Sequence, residues 1–245
     1  MARVFSKFRY LAFVALAMSL QACAKDYSAG PIEAWVVDAE TGQPLEGVIV
    51  TANWQLEIGT PGGNVPAGQM MVMETVTDKN GRLYFPGWGP KPIPGRPKSK
   101  SSRENTLLDY LLSSEPHLVN RDPQLLLFKS VYKYVGLENK FTIDYNKGPL
   151  RSSDWNGKTI KMERFNGTLE EYYSKSLMFL KGDLGFAYNG QDCEWQSVPR
   201  MVAALLKEER RFQENNIAHG LPPIITLPNQ QKCGSAQKFL KDYLK

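Results

Sequence analysis

The spacing of apolar residues changes once along the chain, and this change limits the folds that the chain can adopt. Up to about residue 165, apolar residues alternate with polar ones or form short runs bounded by turn residues, which is typical of β-strands. One such alternating face consists of Val48, Val50, Ala52 and Trp54. Beyond Thr168 the apolar residues recur at helical spacing. The chain is therefore expected to be mainly β, with a C-terminal helical segment.

The same spacing predicts individual elements. Thr168 and Glu171 form a capping box that begins the first helix, which Gly182 is expected to end. Predicted strands cover 32–38, 48–54, 70–77, 83–86, 124–131 and 159–165, and further helices cover about 107–112, 198–216 and 235–244. Glycine and proline predict loops over 58–69 and 86–105. On the helix over 198–216, the charged residues expected to face solvent are Lys207, Glu208, Arg210 and Arg211.

The N-terminal residues have the pattern of an export signal. Arg3, Lys7 and Arg9 form a basic region, and residues 10–20 carry no charge. Eleven residues rise about 16 Å as a helix, which is too short to cross a hydrocarbon core of roughly 30 Å. Leu20-Gln21-Ala22-Cys23 then resembles the lipobox of bacterial lipoproteins.

That resemblance implies that residues 1–22 are a signal peptide and that Cys23 receives lipid, which anchors the chain to a membrane. Several acyl chains hold a protein firmly, whereas one chain binds only marginally. Ala24 in place of an Asp favours the outer membrane, facing the periplasm or the surface. The alternative is an ordinary signal peptide with an unrelated cysteine near its end. Residues 23–31 are predicted to be a tether.

The charge of the chain gives little reason to expect a nucleic-acid partner. The formal net charge is +5, and three of those positive charges lie in the predicted signal peptide, which leaves +2 after cleavage. No later segment has eighteen consecutive uncharged apolar residues, so we expect no transmembrane helix.

The cysteine count fits an oxidising compartment. With Cys23 lipidated, Cys193 and Cys233 remain, and the periplasm would favour a disulfide between them. Two buried free thiols are the alternative. A metal site is not expected, because neither His117 nor His219 has a ligand spacing to a cysteine.

Two segments resemble carboxypeptidase regulatory-like domains, which are transthyretin-like β-sandwiches. The first is Val36–Val48, with the sequence VVDAETGQPLEGV, and the second is Thr77–Phe85, with TDKNGRLYF. The resemblance covers residues 32–86 and extends to about 165. It implies a seven-stranded sandwich over 32–166, related to immunoglobulin-like folds, with an insertion at about 86–121 and a helical extension over 167–245. It also implies an accessory or binding module without an activity of its own.

No catalytic motif accompanies this fold. His117 is followed by Leu, Val and Asn and so lacks the His-x-x-Glu pair of a zinc carboxypeptidase, and there is no GxSxG motif or P-loop. We therefore expect a non-catalytic envelope lipoprotein without a cofactor, which binds a protein or glycan of the envelope. The alternative is an envelope hydrolase with a dispersed active site built around His117 or His219.

One segment of the predicted insertion is a candidate binding loop. Trp88 stands among glycines and prolines, followed by Lys91, Arg96 and Lys98. A basic, aromatic loop could bind an acidic glycan, a lipid head group or a protein. The alternative is a loop that covers a sheet edge with its lysines in solvent.

Overall fold

A computed structural model describes residues 26–95, 114–119, 122–138, 150–151, 153–190 and 193–245. Several sequence-based predictions lie outside these residues. They are the signal peptide, the lipidation site Cys23, the helix near 107–112, and the loop residues Arg96 and Lys98.

The described part of the chain begins with eleven strands. They are β1 (Asp26–Ala29), β2 (Ile32–Asp38), β3 (Ile49–Thr60), β4 (Gly63–Val76), β5 (Arg82–Phe85), β6 (Trp88–Pro92), β7 (His117–Leu118), β8 (Gln124–Phe128), β9 (Val135–Leu137), β10 (Leu150–Arg151) and β11 (Thr159–Met162). They form three sheets, ordered β10-β1-β6, β11-β2-β5 and β4-β3-β8-β9, and β7 pairs with β3. β11 is parallel to β2, whereas β5 is antiparallel to it.

Alternate residues of these strands meet in what we call the first core. β2 contributes Ile32, Ala34 and Val36, and the other strands contribute in the same alternating way. The buried contributors from β3, β5, β8 and β11 are Val50, Ala52, Trp54, Leu56, Leu83, Phe85, Leu125, Leu127, Ile160 and Met162. The alternation predicted from Val48 to Trp54 is therefore confirmed, with Val48, Val50, Ala52 and Trp54 each no more than 1% exposed.

Helices make up the C-terminal segment. They are α1 (Leu169–Tyr172), a π-helical turn (Tyr173–Leu177), α2 (Met178–Asp183), α3 (Gly185–Asn189), α4 (Pro199–Glu214), α5 (Gln230–Cys233) and α6 (Ala236–Leu240), with 3₁₀ turns at Glu194–Ser197 and Ile224–Thr226. The predicted class, mainly β with C-terminal helices, is confirmed. Among the described residues, no helix is long and apolar enough to cross a membrane.

A second core lies between these helices and the β4-β3-β8-β9 sheet. All five residues of β8 are buried, because Leu125 and Leu127 point into the first core while Leu126 and Phe128 point into the second. From α4, the second core receives apolar residues at helical spacing. They are Met201, Val202, Leu205, Leu206 and Phe212. The helical segment therefore packs directly on the sheet.

The turn between β4 and β5 forms as predicted and depends on Gly81. Asp78 Oδ1 accepts hydrogen bonds from the amides of Asn80 and Arg82, at 2.8 and 3.0 Å. Gly81 has a φ of +70°, and a Cβ there would clash with the Val36 carbonyl oxygen. This close approach and the positive φ both require glycine.

The loop predicted over residues 58–69 is wrong. β3 continues to Thr60 and β4 begins at Gly63, so these residues form the end of a long hairpin. β4 lies at the edge of its sheet, so no further strand needs the amide donor that Pro66 lacks. Several glycines are also tolerated in this edge strand.

The predicted tether and the predicted loop over 86–105 are also corrected. Asp26–Ala29 forms β1 and Trp88–Pro92 forms β6, and the two strands pair antiparallel. Proline and glycine predicted a loop here, but β6 is an edge strand, where Pro90 and Pro92 remove no essential ladder donor.

Two details of the predicted helices differ. Gly182 does not end the first helical run, because α2 continues to Asp183 and α3 follows at Gly185. Glu208 was expected in solvent but is 4% exposed, since Ser130 Oγ donates to its Oε1 at 2.5 Å. The loop after β8 thus covers a face of α4 that the helical pattern alone assigned to solvent.

Candidate functional site

The turn that follows β2 is organised by one carboxylate. Asp38 Oδ1 accepts from the amides of Glu40 and Thr41, at 3.0 and 2.9 Å, and from the Thr41 hydroxyl at 3.1 Å. Short polar side chains that bind the backbone a few residues on are typical of tight turns. Asp38 therefore fixes the position of Ala39 and Glu40.

A buried tyrosine links this turn to the segment after β8. Tyr132, 8% exposed, donates its hydroxyl to Asp38 Oδ2 at 2.9 Å. The amide of Thr41 and then the Tyr132 hydroxyl hold the pKa of Asp38 below its ordinary value. Burial, and after it the hydrogen bond to Asp38, raises the pKa of Tyr132. Asp38 is therefore an ionised acceptor at neutral pH, and Tyr132 is a protonated donor.

A polar cleft of about 340 Å³ opens beside this pair. It is lined by Ala39, Glu40, Lys133, Glu163, Arg164 and Asn166. Across it, Lys133 Nζ lies 2.5 Å from Glu163 Oε2, and the Lys133 amide donates to the Glu163 carbonyl oxygen at 2.8 Å. Both side chains of the ion pair are at least half exposed, so the pair contributes little to stability and can reorganise around a ligand.

This cleft presents charged groups that could recognise a polar ligand. It offers two cationic and two anionic side chains, which could engage a ligand that carries both donors and acceptors, such as a peptide or a sugar. No histidine, cysteine, serine or threonine lines it. In the part of the chain that the structure describes, no group of three or more His, Cys, Asp or Glu residues is arranged to hold a metal ion.

Neither histidine lies at this cleft. His117 Nε2 is 3.1 Å from Glu57 Oε1, its Nδ1 is 3.3 Å from the Glu115 carbonyl oxygen, and its side chain is 47% exposed. His219 accepts from the Leu221 amide at 3.3 Å and packs on the Phe212 ring. Each imidazole has a neighbour, but within the described ranges neither is hydrogen-bonded to a hydroxyl or thiol nucleophile.

The predicted cysteine pairing is confirmed. The Sγ atoms of Cys193 and Cys233 lie at bonding distance, 1.98 Å, with their Cα atoms 5.6 Å apart. Cys193 stands just before the 3₁₀ turn that leads into α4, and Cys233 ends α5. The disulfide therefore joins the start of the α4 region to the C-terminal helices.

The two described residues of the candidate binding loop have structural contacts. Trp88 packs against Tyr27 and Trp54, with ring centroids 5.3 Å away in each case. Lys91 Nζ donates to the Met70 carbonyl oxygen at 2.9 Å. These contacts join β6 to the first core, and ligand binding by this segment stays a prediction.

Sequence reasoning did not identify the cleft. Its residues come from the turn after β2, from the segment after β8 and from the end of β11, which only the fold brings together. A partial signal was available in Asp38, since an Asp side chain often accepts from the backbone two residues on and so favours a turn.

Comparisons with known proteins give no relative from which a function could be transferred. No protein-family model matches the chain, and no curated protein matches it. Among solved structures, it is similar to 3-chlorocatechol 1,2-dioxygenase from Rhodococcus opacus 1CP, at 15% identity and a TM-score of 0.29. That match covers 59% of this chain and 63% of the dioxygenase chain, and at this TM-score it carries no argument about fold or function.

Proposed function

We propose that this chain is a bacterial envelope lipoprotein, anchored by lipid on Cys23, that acts as a non-catalytic binding module. The observation that carries the anchor is the spacing between the lipobox-like Leu20–Cys23 and the fold. β1 begins at Asp26, only three residues after Cys23, so cleavage before Cys23 would leave every described strand intact.

The proposed scaffold is a transthyretin-like sandwich. The β11-β2-β5 sheet and the path β4-β3-β8-β9 of the second sheet contain seven strands, besides the two-residue strand β7 that pairs with β3, and both sheets contribute residues to the first core. The two segments that resemble carboxypeptidase regulatory-like domains lie at the turn after β2 and at the β4–β5 turn. These two segments contact each other, because the Gly81 carbonyl oxygen accepts from the amide of Val36, which begins the first segment, at 2.8 Å.

The polar cleft beside Asp38 supports the binding role. Its exposed mixed charge suits a peptide or glycan of the envelope, and its lining contains no hydroxyl, thiol or imidazole group. The proposed location is the outer membrane, which Ala24 after the cysteine favours.

An envelope hydrolase is the second candidate, and one contact favours it. His117 Nε2 lies 3.1 Å from Glu57 Oε1, which is the arrangement of a base and the carboxylate that orients it. Without a hydroxyl or thiol nucleophile bonded to His117 in the described residues, this pair is half of a catalytic arrangement. Ester or amide hydrolysis that is lost in His117→Ala would favour this second function.

Intact mass measurement of protein extracted from membranes tests the anchor. The expected mass lacks residues 1–22 and includes a diacylglyceryl group and an amide-linked acyl chain. The matched variant Cys23→Ala should lack both additions. A wild-type mass without lipid would overturn the proposed anchor. A photoreactive amino acid in place of Asn166, which lines the cleft, should then capture an envelope component in cells, and the variant Lys133→Glu/Arg164→Glu with the same probe should capture less.

A further inference from the structure

The distance from the proposed lipid to the fold is short. β1 starts at Asp26 and is paired on both sides, with β6 through Asp26 and Pro92 and with β10. Three extended residues span at most about 11 Å. Lipid on Cys23 would therefore keep the start of β1 within about that distance of the bilayer surface. This step rests on the proposed function.

From this end, β1 and then β2 follow each other, and with their partners β6 and β5 they form a two-stranded ribbon. β6 and β5 follow them antiparallel along the same side, as the pairs Ala29–Trp88 and Ile32–Phe85 show. Thirteen extended residues from Asp26 to Asp38 span up to about 40 Å. The Asp38 turn and its polar cleft therefore lie at the end of the ribbon opposite to the anchor.

β3 returns along the ribbon towards the anchored end. The segment that leads into β3 lies beside the far end, because the Leu45 amide donates to the Val36 carbonyl oxygen at 2.9 Å. Its middle lies beside β1 and β6, because Trp54 packs on Trp88 with ring centroids 5.3 Å apart. Trp54 of β3 therefore lies about as far along the ribbon as the pair Ala29–Trp88.

The β3–β4 hairpin continues beyond that level. β3 runs six residues past Trp54 and stays paired with β4 up to Thr60 and Gly63. Six residues extend about 20 Å, whereas the three residues from Ala29 back to Asp26 extend about 10 Å. The tip thus reaches about 10 Å past the start of β1, which is close to the length of the proposed lipid connection.

The chemistry of this tip suits a bilayer surface. Residues 58–73 contain no charged side chain, residues 61–66 are exposed, and Val65 is 44% exposed. An uncharged tip gives up no ion hydration when it enters the head-group region. We propose that the tip of the β3–β4 hairpin, residues 60–66, contacts the membrane in the anchored protein and that the polar cleft is thereby held away from the bilayer.

Depth-dependent fluorescence quenching tests this contact in the full lipoprotein. Val65→Cys and the matched far-end variant Gln43→Cys each supply one free thiol, because Cys193 and Cys233 are bonded and Cys23 would carry lipid. Each labelled protein is placed in vesicles of phosphatidylethanolamine and phosphatidylglycerol that contain nitroxide-labelled lipid. We expect the label at residue 65 to be quenched about threefold more strongly than the label at residue 43.

Intact mass separates the two proposals. Equal quenching at the two positions, in protein whose mass includes the lipid, would overturn the membrane contact and leave the anchor standing. A mass without lipid would overturn both. A linker of about twenty Gly and Ser residues inserted after Lys25 should lower quenching at residue 65 to the level of residue 43, because the tether no longer restrains the tip. Quenching that the linker leaves unchanged would support the contact and overturn the role of the short tether in it.

Discussion

The first and second cores contain the same number of buried hydrophobic residues among those described, eighteen each, but they are assembled differently. The first core is enclosed by strands whose partners are distant in sequence, such as β2 with β11. The second has one wall of sheet and the rest of short helices, and it contains the disulfide-linked segments. The number of buried residues therefore does not explain how each core is stabilised.

The two cores differ in what stabilises the secondary structure that surrounds them. Except for α4 and the continuous run from α1 through the π-helical turn to α2, every α-helix described has five residues or fewer, and such helices are unstable by themselves in water. They depend on burial against the sheet and on crosslinking. The first core depends instead on strand pairing, with Trp54 filling it between β3 and β6.

Truncation of neighbouring leucines in β8 should have the largest effect. Leu125→Ala opens a cavity in the first core and Leu126→Ala opens one in the second, and both residues are 0% exposed. Each should lower the free energy of unfolding by about 2–5 kcal/mol. Urea titration followed by far-UV circular dichroism and by tryptophan fluorescence measures both losses.

The same pair tests whether the cores unfold together. We expect both optical signals to shift to the same new midpoint in each variant, because β8 belongs to both cores. Separate transitions in Leu126→Ala, with the β-sheet signal unchanged, would show that the second core unfolds independently.

Loss of the disulfide should have the next largest effect. The bridge closes 40 residues, so the chain-entropy relation gives about 4 kcal/mol. The double variant Cys193→Ala/Cys233→Ala should lose roughly this amount in urea titration. Hydrogen exchange should rise in α5 and α6 more than in β2. A uniform rise in all elements would contradict the assignment of the bridge to the second core.

The smallest expected change in the free energy of unfolding concerns Glu74, at the contact between β4 and α4. Glu74, whose side chain is 3% exposed, accepts from the amides of Arg200 and Met201 at 2.9 and 2.8 Å. Burial raises its pKa, although these hydrogen bonds oppose the rise. Its contribution to stability is therefore greatest below its unfolded pKa and declines as the pH rises through the folded value.

Glu74→Gln should remove this pH dependence. At pH 7 the variant should differ from the wild type by no more than about 1 kcal/mol, because the lost helix cap and the relieved charge burial oppose each other. The wild type should lose stability relative to the variant as the pH rises from the ordinary pKa of a glutamate through the raised pKa of Glu74. The control is Glu46→Gln at an exposed site. A wild type that gains stability over that range would contradict the raised pKa.

Sequence reasoning recovered features whose determinants lie close together in the chain. The alternation in β3 follows from side-chain geometry, and the Asp78–Gly81 turn follows from its own residues. The capping box is similar, since Thr168 Oγ1 accepts from the Glu171 amide at 3.2 Å. The pairing of Cys193 with Cys233 followed from counting, once Cys23 was assigned to the lipid.

Apart from the disulfide, features that join distant segments could not be predicted. Glycine and proline predicted loops at 58–69 and 86–105, and pairing with neighbouring strands produced β-structure in parts of both. The polar cleft combines three segments, so no local pattern marks it. Glu208 was expected in solvent because the spacing of apolar residues in α4 gives no information about the loop after β8. That loop covers the face of α4 that carries Glu208.

The N-terminal caps of α1 and α4 show the same difference between features determined by nearby residues and features determined by distant ones. The cap of α1 was determined by the sequence alone, because Thr168 and Glu171 are three residues apart and satisfy each other's backbone donors. Val198 at the start of α4 has no side chain that could accept a hydrogen bond, and the carboxylate that does so is Glu74, 126 residues from Arg200. Backbone donors at a helix start need acceptors wherever the chain can supply them. A local acceptor can be identified in the sequence, but only the tertiary structure decides which distant one is used.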